Sequence, residues 1–254
     1  MAFLELKFKS TVLMMEVCVN VILPESLRTD PDAKYKTLYL LHGLSDDYNA
    51  WVRRTAIERY AIEHGIAVVM PNAARSWYVD MASGPRYLTY IAEEVPAVCR
   101  SFFRGMSDRR EDNMIAGLSM GGYGAMKIAL TYPERYGYCA SLSGSLDIAA
   151  LYRKFDINEW RGIFGFDFES ATQLAGTKHD TFALARNLRE RNGKFPEIYL
   201  WCGESDVLLE ANQRFRDLLT ELKVPHFYEE SEGNHSWKWW DLHIQDALKY
   251  LLNN

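Results

Sequence analysis

Short apolar runs alternate with helical segments through most of this 254-residue chain and constrain its fold more than any other feature. Apolar runs without internal alternation are typical of strands buried on both faces of a parallel sheet. The predicted strands are 37–41, 66–70, 113–117, 138–142, 198–202 and 226–228, and the predicted helices are 50–64, 86–103, 120–132, 208–222 and 241–252. This order predicts an α/β protein with a mostly parallel twisted sheet and helices on both faces.

Two segments depart from this alternation. Residues 7–23 alternate polar and apolar side chains and are rich in valine, which predicts an antiparallel hairpin at the sheet edge. Residues 147–194 break the pattern, and we expect a cap-like insertion over the carboxyl edge of the sheet, where open α/β sheets bind ligands. An excursion with a small core of its own is the alternative. The chain length suits one domain, which we place at 1–254.

Charge and composition exclude several classes of function. The net charge is −5 and there is no basic stripe, so a nucleic-acid partner is not expected. The sequence contains no run of about 18 apolar residues, which a membrane span would need, and its N-terminus has no signal-peptide pattern. We therefore expect a cytoplasmic protein. The four cysteines have neither CxxC nor metal-ligand spacing, and no strand end carries G-x-G-x-x-G. We therefore expect no metal and no other cofactor.

The strongest functional signal is the segment Gly117-Leu118-Ser119-Met120-Gly121, between a predicted strand and a predicted helix. It matches G-x-S-x-G, the nucleophile elbow, which is a sharp turn that places a nucleophilic serine above the sheet. Side chains at the two flanking glycines would clash in such a turn. The helix that follows brings backbone N–H groups and the positive end of its dipole close to the serine. Ser119 is the predicted nucleophile, and an ordinary glycine-rich turn is the alternative.

A general base and an acid that orients it should follow such a serine along the chain. His235 comes after the last predicted strand and is the predicted base. Asp206 follows the strand at 198–202 and is the predicted orienting acid. Glu204 in the same loop is its rival, and a helix N-cap is the alternative role for Asp206.

Two backbone N–H groups are predicted to form an oxyanion hole. One belongs to Met120, directly after the serine, and the other to Leu44, in the loop after the strand at 37–41. We expect His42, at the end of that strand, to be a structural loop residue rather than a base. The aromatic candidates for the wall of a substrate pocket are Trp51, Trp160 and Trp237.

Four segments together resemble the tributyrin esterase group, which belongs with the esterase D and S-formylglutathione hydrolase-like carboxylesterases. They are His42-Gly43-Leu44 with Trp51, the extended elbow at 117–125, the loop at 202–206, and 233–237 with Trp240-Asp241. The resemblance implies an α/β-hydrolase fold, cofactor-free hydrolysis of short-chain acyl esters, and the triad Ser119, Asp206 and His235. Related members act on acetyl or hydroxycinnamoyl esters, and some form homo-oligomers.

The resemblance to the S-formylglutathione hydrolase branch breaks at one place. The strand-end motif reads His42-Gly43-Leu44-Ser45, where that branch has a Ser-Gly-Leu-Thr-Cys pattern, which argues against a glutathione thioester. The sequence thus predicts a serine carboxylesterase for small-molecule esters of acetyl to butyryl size, with feruloyl-type esters as a second substrate class. Catalysis would pass through an acyl-enzyme on Ser119. An acyltransferase, a thioesterase and a non-catalytic binding protein stay open as alternatives.

Overall fold

The computed structural model describes residues 1–25, 30, 32–151, 156–165 and 173–253. The strands in these ranges are β1 (Ala2–Ser10), β2 (Met15–Leu23), β3 (Thr37–Leu41), β4 (Ala67–Pro71), β5 (Asn113–Leu118), β6 (Tyr138–Leu142), β7 (Glu197–Gly203) and β8 (His226–Ser231). They form one sheet in the spatial order β1-β2-β4-β3-β5-β6-β7-β8.

The sheet combines an antiparallel edge with a parallel body. β1 and β2 form a hairpin in which Ser10 lies opposite Met15, and β2 also pairs antiparallel with β4. Every pairing from β4 to β8 is parallel. The predicted edge hairpin and the mostly parallel sheet are therefore confirmed. The parallel strands bring their carboxyl ends to one edge, where side chains from distant segments can meet.

The described helices are α1 (Ala50–Arg54), α2 (Ile57–His64), α3 (Tyr87–Thr89), α4 (Val95–Phe102), α5 (Met120–Thr131), α6 (Ile148–Leu151), α7 (Ile157–Phe164), α8 (Thr181–Glu190), α9 (Leu209–Glu221) and α10 (Trp237–Asn253). A π-helical turn at Tyr90–Glu94 joins α3 to α4, so the predicted helix at 86–103 contains one widened turn. A 3-10 turn at Arg110–Asp112 precedes β5. Among the helices described, none is both long and apolar enough to cross a membrane.

The helix predicted at 50–64 is wrong in one respect, because the chain breaks it into α1 and α2. Thr55 takes an extended conformation, and its hydroxyl donates to the carbonyl oxygen of Trp51 at 2.6 Å. The Asp241 carboxylate, on α10, accepts a hydrogen bond from the N–H of Ala56 at 3.2 Å. The Asp241 side chain, near the end of the sequence, therefore accepts a hydrogen bond from a backbone N–H that the break deprives of a partner within the helix.

Both faces of the sheet are covered, which explains the uninterrupted apolar runs. All five residues of β3 are buried. Leu38 and Leu40 belong to the apolar layer that includes residues of α2 and α10, whereas Tyr39 and Leu41 belong to the layer that includes residues of α5 and α9. Side chains along a strand alternate between faces, so a strand between two apolar layers must be apolar throughout.

The insertion at 147–194 contains α6, α7 and α8, which the sequence pattern does not predict. α7 is capped by the Asp156 carboxylate, which accepts from two backbone N–H groups, and it ends at Gly165, whose φ is +79°. The carbonyl oxygen of Ile163 accepts a hydrogen bond from the N–H of Ala82 at 3.0 Å, so α7 is tied to the segment after β4. Residues 152–155 and 166–172 of the insertion lie outside the described residues.

Candidate active site

Ser119 occupies a strained turn at the carboxyl edge of the sheet. It links β5 to α5 with φ 52° and ψ −118°, a conformation that few non-glycine residues adopt. A Cβ atom on Gly117 would lie 2.4 Å from the carbonyl carbon of Gly121, and one on Gly121 would lie 2.5 Å from the carbonyl oxygen of Leu41. The two glycines of the motif are therefore required by the close approach of backbone atoms around the serine.

The structure brings Ser119, His235 and Asp206 into one hydrogen-bonded line. His235 Nε2 lies 2.9 Å from Ser119 Oγ, and His235 Nδ1 lies 3.0 Å and 3.1 Å from the two carboxylate oxygens of Asp206. An ionised carboxylate can only accept, so Nδ1 carries the ring proton and donates it to Asp206. Nε2 is then left as the acceptor for the Ser119 hydroxyl, as base catalysis requires.

Asp206 is held in its charged form although its side chain is inaccessible to solvent. Burial on its own would raise the pKa of this carboxyl. The hydrogen bond and charge of His235, the N–H of Leu208 and the Ser143 hydroxyl outweigh burial and hold the pKa below its ordinary value. A permanent negative charge therefore faces His235 Nδ1.

Asp206, and not its rival Glu204, is the acid that contacts His235. Glu204 is exposed, whereas Asp206 turns inward through a hydrogen bond from its N–H to the carbonyl oxygen of Gly203 at 3.0 Å. Its carboxylate also accepts the N–H of Leu208 at 2.9 Å, so a turn-stabilising contact accompanies the contact with His235. Helix α9 begins only at Leu209, and Asp206 is not its N-cap residue.

His42 is buried and structural, as predicted. Its Nε2 accepts the N–H of Ala73 at 2.9 Å, which leaves the proton on Nδ1 to bond the carbonyl oxygen of Gly43 at 2.8 Å. Burial lowers the pKa of His42, in keeping with this neutral ring. The ring fixes the loop that carries Leu44 toward the serine.

The two residues predicted to supply the oxyanion donors, Met120 and Leu44, are both neighbours of Ser119, one along the chain and one across the cavity. Met120 is the first residue of α5, so its N–H has no acceptor within the helix. Leu44 lines the cavity that Ser119 opens into. A Cβ atom on Gly43 would lie 2.7 Å from Leu118 Cδ1 and 3.8 Å from Ser119 Cβ, so a glycine there lets the Leu44 loop approach the serine.

Comparison with known proteins identifies the family. The model of the Esterase family matches residues 10–251. The chain belongs to the Esterase family. An acetyl esterase of Caldicellulosiruptor saccharolyticus is 32% identical over 99% of this chain and 98% of its own.

Two solved structures from Staphylococcus aureus extend this result, and both are 36% identical to the chain. A fluorophosphonate-binding serine hydrolase has a TM-score of 0.92 over 100% of this chain and 99% of its own. An S-formylglutathione hydrolase has a TM-score of 0.89 over 99% of both chains. This esterase is thus an esterase D-like carboxylic ester hydrolase with the α/β-hydrolase fold, which confirms the predicted family, fold and enzyme class.

The esterase has a cavity of about 550 Å³ beside Ser119. Its wall combines apolar and charged side chains. The lining residues are Gly43, Leu44, Asp46, Arg54, Leu118, Ser119, His235, Ser236, Trp237, Lys238 and Trp240. None of the described residues of 147–194 is among them, so the cap-like role of that insertion stays a prediction.

Of the three tryptophans predicted for the pocket wall, only Trp237 lines this cavity. Trp51 is buried behind Trp237, 5.1 Å away between ring centroids, and its indole N–H donates to the carbonyl oxygen of Leu41. Trp160 is fully buried and packs against Trp77 and Phe164. The prediction is wrong for Trp51 and Trp160, because both rings fill the apolar layers of the esterase instead.

Sequence reasoning missed several residues around the site. Asp46, Arg54 and Lys238 bring charge to the cavity wall, and Trp240 lies edge-on to the His235 ring with centroids 4.9 Å apart. One usable signal exists for Trp240, because it lies three positions after Trp237 and so shares a face of the same helix. The position of Ser143 just after β6 also marks the carboxyl edge of the sheet.

Proposed function

We propose that this esterase hydrolyses short-chain acyl esters of small alcohols, from acetyl to butyryl, through Ser119, His235 and Asp206. The observation that carries the proposal is the 2.9 Å contact between Ser119 Oγ and His235 Nε2, with Asp206 behind His235 Nδ1. A base at hydrogen-bond distance from a serine, itself oriented by a buried carboxylate, is the arrangement that activates the hydroxyl.

The reaction proceeds in two halves. Ser119 Oγ attacks the ester carbonyl carbon while its proton moves to His235 Nε2, and the N–H groups of Leu44 and Met120 hold the oxyanion. The C–O bond to the alcohol then breaks, and His235 returns the proton to the departing oxygen. Water attacks the acyl-enzyme with the same help from His235, releases the acid and restores Ser119.

A short acyl group is favoured by a relative of the chain. The acetyl esterase relative covers almost the whole chain, which supports a small acyl group. The second candidate is a thioester, favoured by the likeness to the S-formylglutathione hydrolase structure. The same serine, base and oxyanion donors serve either reaction, because only the leaving atom differs.

The test is a rate panel on the wild type, Ser119→Ala and Ser236→Ala. The substrates are nitrophenyl acetate, butyrate and octanoate, methyl ferulate and an acyl thioester. Ser236 lines the same cavity, but its hydroxyl donates to the Asn234 side chain, so it is a matched control. We expect the fastest rates on acetate or butyrate, roughly a 10⁴-fold loss in Ser119→Ala and little change in Ser236→Ala.

Each outcome of the rate panel has a distinct interpretation. Equal rates for the wild type and Ser119→Ala would rule out the proposed nucleophile. A Ser119-dependent rate that is highest on the thioester would favour the second candidate. A dominant rate on octanoate or on methyl ferulate would contradict a preference for short acyl groups while leaving the nucleophile in place. Product analysis with excess alcohol acceptor would distinguish hydrolysis from acyl transfer.

A further inference from the structure

A second cavity, of about 280 Å³, lies away from the active site. Its wall includes Asn113, the first residue of β5, whereas Ser119 follows the last residue of that strand. A strand rises about 3.3 Å per residue, so these two residues are about 20 Å apart along β5. The two cavities share none of the lining residues that the structure describes. This second cavity is therefore separate from the site of ester hydrolysis.

Two buried polar groups of the cavity wall lack a hydrogen-bond partner. Tyr39, on β3, lines the cavity with 1% of the residue exposed, and Asn113 lines it with 3% exposed. Neither the Tyr39 hydroxyl nor Asn113 Oδ1 has a partner among the residues that the structure describes. Buried polar groups without partners are rare in native proteins, because each one costs free energy. A ligand in this cavity would supply both partners.

The amide of Asn113 is fixed in one orientation. Its Nδ2 donates to the carbonyl oxygen of Ser107 at 3.0 Å and to that of Arg109 at 2.6 Å. Two carbonyl oxygens can be served only by the NH₂ group, so Oδ1 is left as an acceptor. A ligand that pairs with Asn113 must therefore bring a hydrogen-bond donor, such as a hydroxyl.

Two arginines of the cavity wall can bind an anion. Arg100, on α4, forms no ion pair within the described part of the chain, and its positive charge opposes the rise that burial causes in the pKa of Tyr39. Arg135, after α5, donates to the carbonyl oxygen of Ala92 at 2.8 Å, and its Nε lies 3.5 Å from the carboxylate of Glu134. Guanidinium groups bind carboxylates through paired N–H donors. Arg100 is the stronger candidate, because its donors are not engaged elsewhere.

Two exposed carboxylates, Glu93 and Asp108, complete the polar wall. Glu93 accepts a hydrogen bond from the Tyr132 hydroxyl at 3.1 Å. The two carboxylates balance the charges of the two arginines, so a multiply charged anion would meet repulsion in this cavity. A ligand with one negative charge and additional hydroxyl donors matches the wall better.

We propose that this cavity binds a small hydroxycarboxylate with a single negative charge. The carboxylate pairs with Arg100 and accepts from the Tyr39 hydroxyl, and a hydroxyl of the ligand donates to Asn113 Oδ1. The cavity volume is at the low end of ligand sites, which suits a ligand of a few carbon atoms. The inference is independent of the proposed function, because it involves none of the residues around Ser119. A cavity that holds only solvent is the alternative.

Three ligands of three carbon atoms test both requirements by isothermal titration calorimetry. Glycerate has a carboxylate and two hydroxyls, propionate lacks the hydroxyls, and glycerol lacks the carboxylate. We expect a Kd for glycerate of about 1 mM or below, and at least about tenfold weaker binding of the other two. A site built to bond a hydroxyl rejects an analogue without it, because the polar groups of the site then stay unpaired. Inorganic phosphate should also bind more weakly than glycerate.

Tyr39→Phe removes one hydroxyl and leaves the ring in place. We expect the Kd for glycerate to rise by about threefold to tenfold, while the melting temperature of the ligand-free variant is unchanged or higher. Tyr35→Phe is the matched control. The Tyr35 hydroxyl is also buried and has no partner among the described residues, but Tyr35 is not one of the residues that line this cavity. Tyr35→Phe should bind glycerate like the wild type.

Arg100→Gln tests the anion requirement. We expect the Kd for glycerate to rise by at least about tenfold, because a charge-assisted hydrogen bond is lost. Arg104→Gln makes the same change of net charge at an exposed residue that does not line the cavity, and it should leave binding unchanged. Ester turnover should equal that of the wild type in both variants.

Three outcomes would overturn the inference. They are no binding of glycerate at about 10 mM, equal binding of glycerate, propionate and glycerol, and a wild-type Kd in folded Arg100→Gln. If Tyr39→Phe does not fold, Arg100→Gln and its control still decide the question. Ser119→Ala should bind glycerate like the wild type, and wild-type ester turnover in that variant would refute the proposed function alone.

Discussion

At the scale of single residues, the site depends on atoms that approach closely rather than on strong individual bonds. Ser119 keeps a positive φ because the backbones of β5, α5 and the end of β3 pack closely around it and allow no other conformation. Strain of this kind costs about 1–3 kcal/mol at one residue and persists only where packing enforces it. As a result, the Ser119 hydroxyl lies above the sheet, within hydrogen-bond distance of His235.

Gly121 offers the sharpest test at this scale. In Gly121→Ala the new Cβ would lie 2.5 Å from the carbonyl oxygen of Leu41 and 2.6 Å from that of His42. Backbone oxygens cannot give way cheaply, so we expect the free energy of unfolding to fall by about 1–3 kcal/mol and ester turnover to fall further. Urea unfolding and initial rates measure the two effects.

The control for that substitution is Gly162→Ala, inside α7. A Cβ at Gly162 meets nothing within 4 Å, and alanine is the better helix former. We expect equal or slightly higher stability and wild-type turnover. If Gly121→Ala behaved in the same way, the close-packed account of the elbow would be wrong.

At the scale of secondary-structure elements, the π-helical turn at Tyr90–Glu94 serves the edge hairpin. It presents Glu94 to the turn between β1 and β2, where the carboxylate accepts hydrogen bonds from the Ser10 hydroxyl and from the N–H and hydroxyl of Thr11. Widened turns of this kind redirect side chains within a helix. One carboxylate thereby holds the hairpin connection at the edge of the sheet.

Substituting Glu94 should loosen that connection without touching the active site. Glu94→Ala leaves the donors of Ser10 and Thr11 without this acceptor, so we expect a loss of about 1–3 kcal/mol in unfolding free energy. Backbone amides of residues 10–15 should exchange with solvent faster by hydrogen-exchange mass spectrometry, while turnover stays unchanged. Glu93→Ala, next to it but bonded to the exposed Tyr132 hydroxyl, should leave the exchange of this turn as it is.

The sequence predicts the elements that leave a local pattern of apolar residues. It does not predict features that depend on contacts between distant parts of the chain. β3 and β6 are predicted to the residue, because five consecutive buried residues in β3 and four in β6 leave a clear pattern. The helix at 50–64 is predicted whole, because its break depends on Asp241, 185 positions away from Ala56. The insertion at 147–194 has no regular period, so α6, α7 and α8 are not predicted.

The same division applies to the site. Ser119, His235 and Asp206 are predicted because each follows a strand in an order that the motif prescribes. The hydrogen bond between Trp240 and Ser143 joins residues 97 positions apart, and no spacing rule predicts it. Trp51 and Trp160 show the converse error, since aromatic residues near a site in sequence can equally fill a core.

At the scale of the whole molecule, the charged Asp206 makes stability depend on pH. Its pKa is lowered below the ordinary 3.8, with burial opposed by the stronger effect of His235 and the surrounding donors. A carboxyl with a depressed pKa stabilises the folded state above its unfolded pKa, and this stabilisation is lost as pH falls through the folded value. The affected window is therefore acidic, from about pH 5 downward.

Asp206→Asn should flatten this dependence. We expect urea unfolding to show a larger loss of stability between about pH 5 and about pH 3 in the wild type than in the variant. Glu204→Gln, in the same loop but exposed, should retain the wild-type loss. An identical loss in the wild type and Asp206→Asn would mean that Asp206 contributes nothing to the pH dependence of stability.

The most direct test of the central claim is to identify the residue that reacts with an alkyl fluorophosphonate, using peptide mass mapping. The activated serine oxygen would attack phosphorus, fluoride would leave, and the adduct would mark the nucleophile. We expect one adduct, on Ser119, absent from Ser119→Ala and formed roughly 10³-fold more slowly in His235→Ala. An adduct on another residue of the wild type, or ester turnover that continues after Ser119 is fully modified, would contradict the assignment.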